Sequence, residues 1–410
     1  MSEFSRLRPI LGKHFDWHGA RLTLLAQFLV AVIRVRSVNL SELSTAFVGQ
    51  ALVASNYKRL QRFFREFRID YVEFARSIAD WLGIKEDWVL TLDRTQWEFG
   101  SQMHNILMLG IAYKGVAIPI LWTLLPNRSN SYAYQRKGLL HRFQRIFPTQ
   151  KIAYLTADRE FIGKDWLSYL DDKSIPFCIR IRECDYLYDG KRSLSSRVIF
   201  SNLQVGEIQV LSKRRRVGGI WVFVVATRLK DDKLLVLITS KQPKATLADY
   251  AVEKICTKRA NLLVPRLCES TFRGGFSKRT GLLRLFSVLL RKPVRFEKVC
   301  SFCVVLCVPQ RWQIETLFGC LKSRGFNLKA THISRRDRLS KMLALLTIAL
   351  VWSLNTGEWQ HQQKNLPLKK HARPACSLFR LGLDFLRHAL FNLDAKPTLF
   401  RQSLSFLSCT

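Results

Sequence analysis

Three acids stand where phosphodiester chemistry would want them. Asp93 closes the apolar run Val89-Leu90-Thr91-Leu92, Asp158 closes Ile152-Ala153-Tyr154-Leu155-Thr156-Ala157, and Glu315 lies far downstream in a helix-forming stretch. Cutting or joining DNA with divalent metal needs carboxylates converging on a site for one or two ions. Mg²⁺ keeps several waters, so two or three acids suffice. Acids at strand ends occur in any α/β protein, which leaves metal binding by Asp93 and Asp158 one reading among several. Arg311, Glu315 and Lys322 add a pattern, because spacings of four and seven residues place all three on one face of a helix. A solvated stripe of i,i+4 ion pairs has that form. So does a site where one acid holds metal while flanking cations grip phosphate.

The elements around these residues follow from pattern. Val89–Asp93 reads as a strand, followed by Ile106–Tyr113 and Val116–Leu125 joined by Lys114-Gly115 as a hairpin. A helical segment (Tyr134–Phe147) leads to the strand Ile152–Thr156. Strand, hairpin, helix, strand, with an acid after the first and the last, predicts an α/β fold with a ribonuclease H-like catalytic core. Residues 86–174 form its first part, and 310–340 complete it with the Glu315 helix. Residues 175–245 read as a β-rich insertion, with strands at Phe177–Ile181, Gly206–Leu211 and Ile220–Thr227. The run Lys213-Arg214-Arg215-Arg216 is either a phosphate contact or a solvated turn.

Helical regions flank this core. Within 1–85, Leu40–Phe47 reads as a short helix behind a Ser cap, and Ser55-Asn56 as the opening of Tyr57–Arg65. A helix-turn-helix-like DNA contact and an ordinary amphipathic helix are both compatible with that pair. Residues 341–410 are helical, and the apolar run Met342–Leu354 is shorter than a membrane span needs and reads as a buried helix. Trp97 and Trp312 read as core aromatics, and Glu160 as a support for Asp158.

The chain of 410 residues carries 66 Lys plus Arg against 31 Asp plus Glu, a formal charge of +35. So large an excess repels itself in the folded state and points to a polyanionic partner. A ribosome-associated or generally sticky basic protein is the alternative. With 48% apolar residues the chain is no disordered basic tail. Met1–Arg8 lacks the features of a signal peptide, and ten cysteines without an extracellular context predict reduced thiols. The expected location is the cytoplasm, in association with the nucleoid, with no membrane partner.

Three segments resemble the acidic motifs of DDE transposases of the IS-four family of bacterial insertion sequences. They are Thr91-Leu92-Asp93-Arg94-Thr95-Gln96-Trp97, Thr156-Ala157-Asp158-Arg159-Glu160-Phe161-Ile162-Gly163, and Arg311-Trp312-Gln313-Ile314-Glu315-Thr316-Leu317-Phe318 with Leu321-Lys322. The resemblance implies Asp93, Asp158 and Glu315 as the catalytic and metal-binding triad for two Mg²⁺ (or Mn²⁺) ions. It also implies Tyr250, Arg311 and Lys322 as contacts to transposon-end DNA, target DNA as second partner, and a homodimer in the DNA complex. The family signature Tyr-x-x-Arg-x-x-x-Glu-x-x-x-x-x-x-Lys is met only when Tyr250-Ala251 is joined to Gln310-Arg311, so residues 252–309 read as an in-frame insertion. Those 58 residues hold five of the ten cysteines and no Trp, Tyr, Asp, His, Gln or Met. Cys300-x-x-Cys303-x-x-x-Cys307 lacks the second pair or His that zinc spacing asks for. The insertion is expected to break the start of the Glu315 helix and impair activity. The reading is therefore an impaired DNA transposase. The alternatives are an inactive DNA-binding relic and a basic ribonuclease H-like nuclease unrelated to transposition.

Overall fold

A computed structural model describes residues 3–99, 102–126, 129–229, 231–243, 308–369 and 374–407. Tyr250, the cysteines of the 252–309 segment and nearly all of that segment lie outside the described residues. Five helices open the chain: α1 (Leu7–Gly12), α2 (Gly19–Val35), α3 (Leu40–Thr45), α4 (Val53–Glu66) and α5 (Tyr71–Leu82). The cap of α3 is Asn39, whose Oδ1 accepts from the Ser41 backbone N–H, not a serine. The next helix starts two residues ahead of Ser55-Asn56, because Asn56 is buried in its first turns with its Oδ1 engaged by Arg59 rather than capping.

The centre is a sheet. Its strands are β1 (Trp88–Phe99), β2 (Gln102–Tyr113), β3 (Val116–Leu125), β4 (Ile152–Ala157), β5 (Phe177–Ile181), β6 (Tyr186–Tyr188), β7 (Ser193–Ser195), β8 (Ile208–Val210), β9 (Arg215–Val217), β10 (Ile220–Arg228) and β11 (Leu234–Thr239). The order is β3-β2-β1-β4-β5-β11-β10-β9-β6-β7, with β8 on β10. β1, β2 and β3 pair antiparallel, whereas β4 runs parallel to β1 and β5 parallel to β4. The predicted hairpin is present: Lys114 and Gly115 both take positive φ (48° and 90°), the combination that matches a two-residue turn to the strand twist. The strands after β5 continue the same sheet, since β11 pairs antiparallel with β5.

Helices α6 (Ala133–Ile146), α7 (Lys164–Asp172) and α8 (Ser196–Ile199) sit between strands, and α9 (Val308–Gly319), α10 (Arg336–Gln363), α11 (Leu378–Phe391) and α12 (Pro397–Ser405) close the chain. The core is continuous from α1 to α12. α10 is its axis, packing on α2, α4, α5, α11 and β3. By length and composition its 28 residues would cross a membrane, but 89% of its most apolar window is buried inside the protein. Trp352 is fully buried and donates its Nε1–H to the Ser403 carbonyl in α12, 2.8 Å away. The buried Lys341 ammonium finds the Phe64 carbonyl at 2.9 Å. Where α10 crosses α11, two glycines meet back to back. A Cβ on Gly357 would lie 1.9 Å from the Leu378 carbonyl oxygen, and one on Gly382 would lie 1.8 Å from that of Ser353. Only residues without a side chain permit this crossing.

Candidate active site

β1 and β4 bring two of the predicted acids together. Their parallel register pairs Leu92 with Ala157, so Asp93 and Asp158 follow side by side. Asp158 stands at the strand end as expected. Asp93 does not: β1 runs on to Phe99, and Asp93 faces Met108 across the β1–β2 ladder. It marks the end of the parallel pairing rather than the end of the strand, because its antiparallel partner outlasts β4. Burial holds the Asp93 carboxyl protonated up to about 7; the neighbouring Glu160 and Asp158 carboxylates push the same way. The Arg94 backbone N–H, 2.7 Å from Asp93 Oδ1, and the Arg311 charge oppose them.

The third acid arrives on α9, which lies against β1, β2 and β3. Ile314, Leu317, Phe318 and Leu321 are buried at helical spacing and anchor that face. On the flank of this stripe Arg311 Nη1 donates to Glu315 Oε1 at 2.7 Å, and the same nitrogen lies 3.9 Å from Asp158 Oδ1. Arg311 is thus a buried cation between the second and third acids. α9 is described from Val308 onward, so Arg311 and Glu315 stand one turn apart on a formed helix, and the junction with the 252–309 segment lies outside the described residues.

Lys322 departs from the one-face expectation. The α-helix ends at Gly319 and widens into a π-turn (Cys320–Arg324), where Lys322 has non-helical backbone angles. Its ammonium instead sits 5.6 Å above the ring of Trp97, on the strand that carries Asp93. Burial, and then Lys329, lower its pKa. Trp97 is a core aromatic as predicted, 3% exposed, but Trp312 is not: it is 51% exposed and its ring carries the Arg311 guanidinium 4.5 Å away.

Two residues escaped the sequence reading. Arg180, an unexpected charge inside the apolar strand β5, places Nη1 3.9 Å from Asp158 Oδ1. Arg94, adjacent to Asp93, makes two 3.1 Å bonds to the two oxygens of Glu160 and also donates to Asn105 and Asn130. Glu160 is therefore committed to Arg94. The signal was there in both cases: a charge in an apolar strand, and an Arg directly after one candidate acid with a Glu two residues beyond the other.

Whether a divalent ion fits is answered by Asp158. Its Oδ1 is buried without a hydrogen-bond partner, and two guanidiniums stand at 3.9 Å, beyond hydrogen-bond reach. A buried carboxylate oxygen left in this way, beside a second crowded carboxyl, suits a cation. As placed, among the described residues no three His, Cys, Asp or Glu side chains converge closely enough to share one ion, because Arg311 takes Glu315.

The family model for the transposase DDE domain matches residues 85–352. The chain belongs to that family. It is a DNA transposase, and the match spans all three acids. No curated protein matches this transposase. Among solved structures it is similar to the piggyBac transposase synaptic complex with hairpin DNA, at 13% identity and a TM-score of 0.40, over 94% of this chain and 74% of that one.

Proposed function

We propose that this transposase cuts and joins the ends of an insertion sequence of the IS-four family, using Asp93, Asp158 and Glu315 on a ribonuclease H-like core. One observation carries the reading. Arg311 bridges Glu315 and Asp158, and so draws the third acidic motif over the end of β4, where Asp93 already lies. The strand order β3-β2-β1-β4-β5, antiparallel then parallel, supports the ribonuclease H-like assignment.

The three acids would hold Mg²⁺ or Mn²⁺, two ions in the two-metal scheme, which when bound stabilise the charge on the attacking and leaving oxygens. The remaining chemistry belongs to the side chains. Arg94 fixes Glu160 and, through its backbone N–H, orients Asp93. Arg180 and Arg311 supply positive charge at Asp158, where a phosphate would sit. Lys322 and Tyr250 join Arg311 as contacts to end DNA in this reading. Transposon ends and target DNA are the partners, a homodimer forms on paired ends, and the nucleoid is the working location. The three-part organisation, with a helical end-binding region before the core and a helical region after it, belongs to the same proposal.

Residues 252–309 are proposed as an in-frame insertion that impairs end binding by separating Tyr250 from Arg311 in sequence. The test is Mg²⁺-dependent cleavage of a duplex carrying the element's own ends, comparing the full chain, a form lacking 252–309, and that form with Glu315→Gln. Cleavage gained on deletion and lost with Glu315→Gln is expected. Cleavage by the full chain at the level of the deletion form would dismiss impairment, and cleavage surviving Glu315→Gln would dismiss the triad.

A further inference from the structure

At the start of α6 stand two tyrosines whose rings lie largely outside the core. Tyr132 and Tyr134 are 54% and 67% exposed, yet their rings lie nearly parallel, 12° apart with centroids at 5.8 Å. The near-parallel pairs Phe63–Phe67 and Trp166–Tyr169 differ, since each includes a ring buried in the core. The polar ends of the tyrosine segment are already fixed: Gln135 accepts from the Tyr132 backbone N–H at 2.8 Å and donates to the Tyr134 hydroxyl at 3.4 Å. What is left open is aromatic face.

The segment that leads into this face is tied to residues flanking the acids. Ser131, immediately before Tyr132, is bound through its hydroxyl and its carbonyl by Arg136, whose Nη2 also donates to the Glu160 carbonyl at 3.1 Å. Asn130 accepts from Arg94, which follows Asp93 and grips Glu160. Both anchors of the tyrosine segment thus run to the acid corner. A strand whose phosphate is drawn to Arg180 and Arg311 would carry its neighbouring bases past this segment.

We propose that Tyr132 and Tyr134 form a stacking platform for an unpaired base of the DNA strand entering the acid site. The inference rests on reading that corner as the place where DNA is cut. The 5.8 Å spacing leaves no room for a base between the rings, so the base lies on the outer face of the pair. Every base has a π-face, so the platform is tolerant of sequence and depends on the base being unstacked. A duplex, with its bases stacked on each other, gains nothing from it.

The probe is a short mixed-sequence single strand carrying 2-aminopurine, with a duplex of the same sequence as control, both without divalent metal so that no cutting is needed. The full chain is expected to bind the single strand and quench the fluorophore. Tyr132→Ala with Tyr134→Ala is expected to abolish the quench and weaken single-strand binding about tenfold or more, with duplex binding unchanged. The double Phe variant keeps both properties, since it keeps the rings. Quenching and affinity in the double Ala variant equal to those of the parent would overturn the platform, as would absence of quenching in the parent or a double Phe variant as impaired as the Ala one. Cleavage of end duplexes, measured separately, reports on the transposase site: its failure with the quench intact faults that site and not the tyrosines.

Discussion

The acid corner and the crossing of α10 on α11 are built on opposite rules. At the crossing the contact is close and apolar: two glycines let backbones touch, and the nearby Trp352 indole meets a carbonyl. At the acid corner little is. Asp93 is pushed to about 7, Asp158 Oδ1 lacks a hydrogen bond, and Arg311 serves two carboxylates at once. The scaffold thus packs closely where nothing is proposed to react, and tolerates unmet charge at the corner proposed to receive a polyanion and a cation.

The contrast is broken first at the crossing. Gly357→Ala or Gly382→Ala drives a methyl into a carbonyl, and the expected outcome is a loss of about 3 kcal/mol or more, read as collapse of the thermal transition or of soluble yield. Melting like that of the parent would show that the helices can separate, and the contrast would lose its rigid half.

The acid corner responds with the opposite sign. Asp93 has a folded pKa of about 7 against an ordinary 3.8, so the folded chain keeps a proton that the unfolded chain releases. Stability is expected to fall as pH rises from about 4 to about 7 and to level off above that. Asp93→Asn removes the penalty, a gain of up to about 4 kcal/mol at pH 8 and almost none near pH 4, while cleavage is lost. Urea denaturation of parent and variant at the two pH values decides it; equal shifts at both would show that burial of Asp93 costs nothing.

A smaller effect sharpens the account of how the corner is held. Arg94 and Glu160 are mostly buried partners with two bonds between them. A double-mutant cycle with Arg94→Met and Glu160→Gln is expected to return about 1–2 kcal/mol of coupling. Coupling indistinguishable from zero would make Glu160 a bystander. Smallest of all, Trp312→Ala is expected to move stability by less than about 0.5 kcal/mol, because half of that ring is in water. A large drop in melting temperature would restore the core role that its composition suggested.

That last residue shows where sequence reading reaches its end. The hairpin was legible because Lys114-Gly115 is a local signal, and β1, β4 and the buried α10 were legible because their periodicities are local too. The three acids were found through motif resemblance and strand ends, and the fold places two of them side by side. Trp312, two residues before Ile314 in the stripe Ile314, Leu317 and Phe318, faces outward because of a rotation set by packing, which no composition rule contains. Lys322 was placed by extending a helix that in fact widens after Gly319, and nothing in Cys320–Arg324 announces a π-turn. Arg180 reaches Asp158 only because β5 lies next to β4, a fact of topology rather than of spacing.

The paired glycines also carry a genetic consequence. Glycine has no smaller relative, so every missense change in codon 357 or 382 adds at least a β-carbon between two touching carbonyl and amide groups. No second change across the crossing can make room, because the partner is already the smallest residue there is. Copies of the gene that drift unselected are therefore expected to lose their fold at these two codons as surely as they would lose chemistry at the proposed acids, and repair at either codon requires reversion.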